Sequence, residues 1–107
     1  GAGGGGGGGL AGSGFARAGY AYNPKPKYPE TARQEGWEGT VLLRVLVDRE
    51  GISKSIEVSR SSGFETLDRA AMETVKSWRF HPAHYGERRV ESWVRIPIVF
   101  SLADLKN

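Results

Sequence analysis

The sequence predicts an α+β domain: a three-stranded antiparallel sheet in the order second, first, last (2-1-3), with one long helix packed on one face and a short N-terminal helix beside it. Three observations carry this. Thr40 to Asp48 repeats with period two, Phe64 to Arg79 carries an apolar stripe at helical spacing, and Pro97 sits inside a third alternating run. Pro lacks an N–H and cannot serve as a ladder donor, so the third run belongs at a sheet edge. A crossover from the second strand through the helix must be right-handed and needs room for an intervening strand, which the first strand fills.

At 107 residues the chain holds one small domain with a modest core. Ten of the first fourteen residues are Gly, which loses the most backbone entropy on ordering, so Gly1 to Gly14 reads as a flexible tether. Phe15, Tyr20 and Tyr22 show no period, and folded structure is expected to start near Lys25. The expected organisation is therefore a tether over 1–24 and a domain over 25–107. The chain starts with Gly rather than Met, which reads as a fragment of a longer protein with any membrane anchor outside it.

Each later element has its own signal. Prolines extend Lys25-Pro26-Lys27-Tyr28-Pro29. Pro29 suits the first position of a helix over Pro29 to Glu35, with Glu30 in its first turn and Gly36 as its stop. In the first strand Val41, Leu43, Val45 and Val47 share one face. Asp48-Arg49-Glu50-Gly51 turns the chain into a return strand, Ile52 to Ser59, with Ile52, Ile56 and Val58 inward. Ser62 and Glu65 have the spacing of a capping box, and Leu67, Ala71, Val75 and Trp78 form the helix stripe. The last strand is expected over Arg89 to Leu102, with Val90, Val94, Ile96, Ile98 and Phe100 inward.

The formal net charge of +3 is spread among interleaved acids and bases, which describes a solvated surface rather than a nucleic-acid face. There is no Cys, hence no disulfide and no thiolate metal site. No run is apolar enough to span a membrane, and no charged stretch precedes an apolar one, so no signal peptide is expected within these residues. His81 and His84 are separated by Pro82 and lack a close third ligand, so no metal or other cofactor is expected, and His81 is read as a packed residue after the helix. Ser61 and Ser62 look like capping residues, and no nucleophile elbow is present, so the chain is read as a non-enzyme.

Taken in order, Tyr28-Pro29 with Ala32 and Gly36, Gly39-Thr40-Val41, Asp48 with Gly51, Ser61-Ser62-Gly63, Leu67-Asp68-Arg69-Ala70-Ala71, Trp78-Arg79-Phe80 with Pro82-Ala83, and Val99-Phe100-Ser101-Leu102 resemble the TonB C-terminal domain family over about Lys25 to Leu102. The resemblance implies the periplasmic end of a protein anchored in the bacterial inner membrane. It implies energisation through ExbB and ExbD, contacted by other parts of such a protein, and a grip on the Ton box of an outer-membrane transporter for siderophore or metal uptake.

An edge strand exposes unpaired N–H and C=O groups that can receive an extended peptide, and the resemblance implies that the Ton box lies along this one. Because Pro97 interrupts clean pairing, docking is expected along Arg89, Val90, Glu91, Ser92, Trp93, Val94, Arg95 and Ile96. By the same resemblance Lys25, Pro26, Lys27 and Tyr28 help to hold the partner. An exposed edge also invites a homodimer. Three other readings compete: a TolA-like envelope domain, a nucleic-acid-binding module on Arg88, Arg89 and Arg95, and a metal-dependent enzyme on the two histidines.

Overall fold

The computed structural model describes residues 14–105, so residues 1–13 of the expected tether lie outside the described residues. In chain order these form β1 (Phe15–Ala16), β2 (Gly19–Tyr22), α1 (Glu30–Glu35), β3 (Gly39–Val47) and β4 (Ser53–Arg60). There follow α2 (Glu65–Lys76), β5 (Arg79–His81), β6 (Ala83–Tyr85), β7 (Arg88–Val90), β8 (Ser92–Phe100) and a 3-10 turn at Leu102–Leu105.

The architecture is α+β, but its strands fall into three antiparallel sheets rather than the single sheet expected. The main sheet has the order β4-β3-β8, the central position falling to the first long strand as expected, with β8 at one edge. Two small sheets, β1-β6-β7 and β2-β5, stand beside it. Strands begin at Phe15, ahead of the expected start near Lys25.

Alternation builds the core. Val41, Leu43, Val45 and Val47 of β3 are fully buried, as are Leu67, Ala71 and Val75 of α2, and Ile96, Ile98 and Phe100 close the layer from β8. Each Leu or Val removed from water in this way contributes about 1.5–3 kcal/mol. Trp78, just past α2, is 5% exposed and belongs to the same cluster. Trp37 lies stacked on Phe64, ring centroids 4.9 Å apart, at the junction of α1 and β3.

The turn between β3 and β4 forms as its residues dictate. Asp48 Oδ1 accepts hydrogen bonds from the Glu50 and Ile52 N–H groups, both at 2.9 Å. Gly51 has φ 81°, and a Cβ there would sit 2.0 Å from the Phe80 carbonyl oxygen. Glycine therefore lets the turn close onto β5, where the Phe80 N–H donates to the Gly51 carbonyl at 2.9 Å.

Four local expectations are corrected. The helix starts at Glu65, so Ser62 and Glu65 do not form a capping box; Phe64 is the N-cap. Asp68 reaches back instead, accepting from the Ser62 N–H at 2.9 Å and from the hydroxyls of Ser61 and Ser62. The helix also ends at Lys76 rather than Arg79, and the residues after it form β5 and β6. The last strand is broken at Glu91: Val90 pairs with Ala83 in the small hairpin of β6 and β7 and does not share the β8 face. Finally, His81 is exposed on β5, where it pairs with Gly19, rather than packed.

Candidate partner-binding edge

β8 pairs with β3 in an unbroken register from Gly39 opposite Phe100 to Val47 opposite Ser92, and Pro97 lies opposite Leu42. A Pro is accommodated without a register shift when its missing N–H falls on the side away from the neighbour. Residues of the same parity as Pro97, namely Trp93, Arg95 and Val99, then turn their backbone groups outward. Among the described residues β3 is the only ladder neighbour of β8.

Two open grooves run along that free edge. The first, about 520 Å³, is lined by Ser92, Trp93, Val94 and Arg95 of β8, by Phe80, and by Phe15, Arg17, Ala18, Gly19 and Tyr20. The second, about 390 Å³, is lined by Pro97 to Ser101, Trp78, Asp104 and Leu105, and by Asn23, Lys25, Pro26 and Tyr28. Parts of the chain before α1 thus border the edge on both sides of Ile96.

That N-terminal segment is held in place by contacts far along the sequence. Phe15 and Ala16 pair with Tyr85 and His84, and Gly19, Tyr20 and Tyr22 pair with His81, Phe80 and Arg79. Tyr20 meets the Trp78 ring edge-on at 5.5 Å. Tyr28 packs edge-on against Phe100, and its hydroxyl donates to the Trp37 carbonyl. Burial and then the nearby Glu38 charge push its phenol above the ordinary value.

The sequence-predicted site is gathered in part. Ser92 to Ile96 lie on the free edge, and Lys25, Pro26 and Tyr28 border the groove farther along it, whereas Lys27 does not line it. Arg89 and Val90 belong to β7, and Glu91, between the strands, forms an ion pair with Lys54 at 2.8 Å. Sequence reasoning missed Phe15, Arg17, Ala18 and Tyr20; their one signal was three aromatic residues in a Gly-rich stretch.

Trp93 is 41% exposed, and the Arg44 guanidinium lies 3.8 Å above its ring while bonding Glu57 at 2.9 Å. The three cationic residues of the nucleic-acid reading do not share a groove. Arg88 and Arg89 line one with Asp48, Glu50, Glu87 and Glu91, and Arg95 lines another. His84 Nδ1 contacts the Gly86 carbonyl at 2.8 Å.

Residues 24–102 match the profile of the Gram-negative bacterial TonB protein C-terminal family. The chain belongs to that family. Among relatives similar to it, TonB2 of Pseudomonas aeruginosa is 52% identical over 81% of this chain and 32% of its own length. TonB of Vibrio cholerae is 38% identical over 73% of this chain and 32% of its own length. The chain thus spans about a third of these TonB proteins. The solution structure of the Helicobacter pylori TonB C-terminal domain is similar with a TM-score of 0.55 and 35% identity, covering 73% of this chain and 82% of that one. That of Pseudomonas aeruginosa has a TM-score of 0.68 at 24% identity, covering 80% and 87%, and bears on the fold alone. TonB proteins are energy transducers of the periplasm and not enzymes, and this membership favours the TonB-like reading over the TolA-like one.

Proposed function

We propose that this domain is the transporter-gripping end of a TonB-type energy transducer. It receives the Ton box of an outer-membrane transporter as an added strand along β8. The observation that carries this is the free edge of β8, with β3 on one side and two open grooves on the other. Main-chain bonds tolerate varied side chains, which suits an adaptor serving more than one transporter. A strand pulled along its length separates only when several bonds yield together, so the attachment transmits tension. ExbB and ExbD, in this reading, are engaged by other parts of the longer protein, anchored in the inner membrane.

The docking strand proposed is Ser92 to Phe100, extended past Pro97 because the second groove, bordered by Lys25, Pro26 and Tyr28, lies there. Titration of the isotopically labelled domain with a transporter's Ton-box peptide tests this. Amide shifts concentrated at Trp93, Arg95 and Val99, with little change along β4, support it. Shifts confined to α2 or β4 rule it out. A homodimer through the same edge would compete with the peptide, so its affinity should weaken as domain concentration rises.

A further inference from the structure

The first groove differs from its neighbours in charge. Its ten lining residues include two basic residues, Arg17 and Arg95, and no Asp or Glu. Each comes from a different wall. Arg17 stands between β1 and β2, both paired into small sheets, so its backbone is held at both ends. Arg95 projects from β8.

Neither Arg17 nor Arg95 makes an ion pair among the described residues. Arg95 lies directly across the ladder from Arg44. Like charges facing each other across a sheet repel. Glu57 meets the charge of Arg44 at 2.9 Å, and Arg95 has no such counterpart. Ser92, which also lines this groove, has a buried hydroxyl without a hydrogen-bond partner among the described residues. Val94, Ala18, Phe80 and the Tyr20 ring make the rest of its lining largely apolar.

We propose that Arg17 and Arg95 form a two-sided clamp for one acidic side chain of an extended, otherwise apolar peptide docked on the first half of β8. This rests on the strand-addition reading above and adds a side-chain preference to it. The backbone ladder gives the grip, and the clamp sets which stretch of the partner occupies Ser92 to Arg95. An incoming carboxylate meets the unbalanced charge of Arg95 and can accept hydrogen bonds from both guanidinium groups.

The probes are two end-capped decapeptides of alternating valine and threonine, one with a central glutamate and one with glutamine there. Each is titrated into the full chain and into the Arg17→Gln, Arg95→Gln and double variants, following backbone amides. The glutamate peptide is expected to bind the parent about three- to tenfold more tightly than the glutamine peptide, as a partly exposed charge-assisted contact allows. That preference should shrink in each single variant, vanish in the double variant, and weaken with added salt. The readout is the ratio of the two affinities within each protein, so a loss common to both peptides does not count as the preference.

If both peptides shift the β8 amides equally in the parent, the clamp is wrong and strand addition stands. A glutamate preference that survives in the double variant also overturns the clamp. If neither peptide shifts the β8 amides, strand addition itself fails and the clamp falls with it.

Discussion

Trp78 donates its indole N–H to the Pro24 carbonyl at 2.9 Å, joining residues 54 positions apart. One residue therefore fills the core and ties down the chain that borders the β8 edge. Trp78→Ala should destabilise the domain by about 3–5 kcal/mol, the usual cost of truncating a buried Trp. Trp78→Phe keeps most of the apolar volume but loses the hydrogen bond, so about 0.5–1.5 kcal/mol is expected. Urea unfolding measures both, and amide shifts at Asn23 to Tyr28 in the Phe variant report release of that segment.

Gly51→Ala should be harmful although the neighbouring turn residues Arg49 and Glu50 are exposed. The added Cβ would lie 2.0 Å from the Phe80 carbonyl oxygen, in a backbone conformation with φ 81°. A loss of at least about 2 kcal/mol is expected from conformation and collision together. Thermal unfolding within a degree of the parent would contradict this account of the β3–β4 turn.

Asp68 sets a pH dependence. Burial raises its pKa, but hydrogen bonds from the Ser61 hydroxyl and from the Ser62 N–H and hydroxyl together outweigh this, leaving it below its ordinary 3.8. A depressed folded-state pKa gives stability that is complete above the unfolded value and lost as pH falls through the folded one. The stability gap between the parent and Asp68→Asn should therefore be largest near about pH 6 and shrink towards about pH 2.5. A gap that stays constant across that range would show that the charge is not what matters.

Proline substitution along β8 separates docking from folding. With Pro97 facing outward, Trp93→Pro and Arg95→Pro remove outward N–H groups, and Val94→Pro and Ile96→Pro remove inward ones. The first pair should weaken Ton-box peptide binding, each lost bond being worth about 0.5–1.5 kcal/mol, with the fold retained. The second pair should unfold the sheet. The opposite parity in denaturation and peptide titration would place the Pro97 backbone on the β3 side.

The elements legible in the sequence are those long enough to show a period. β3 presents four buried residues in alternation, and α2 repeats its stripe over three turns. β5, β6 and β7 have three residues each, less than two full periods, so their sequence resembles a polar loop. β2 was hidden for another reason: its partner, β5, lies some sixty positions away, and Tyr20 and Tyr22 become intelligible only opposite Phe80 and Arg79.

The candidate site divides along the same line. Pro97 placed β8 at an edge from local chemistry alone, and a nearly continuous alternation ran Arg89 and Val90 into the same strand although Glu91 breaks it. The groove holding Arg17 and Arg95 depends on tertiary apposition of distant residues, which no local pattern encodes.

The segment from Phe15 to Tyr22 also has a mechanical consequence. It lies against β5 and β6 and lines the groove shared with Ser92 to Arg95. A load entering this domain from its amino-terminal side arrives next to β8, where the partner strand is proposed to dock, and need not cross the helix-covered interior. The pairs of β1 with β6 and β2 with β5 would bear that load first, and they are few. The domain would then yield at its amino-terminal seam, withdrawing the Arg17 wall of the groove, while the β3–β8 ladder and the packing beneath α2 stay whole, giving the linkage a slack that is reset when the short strands re-pair.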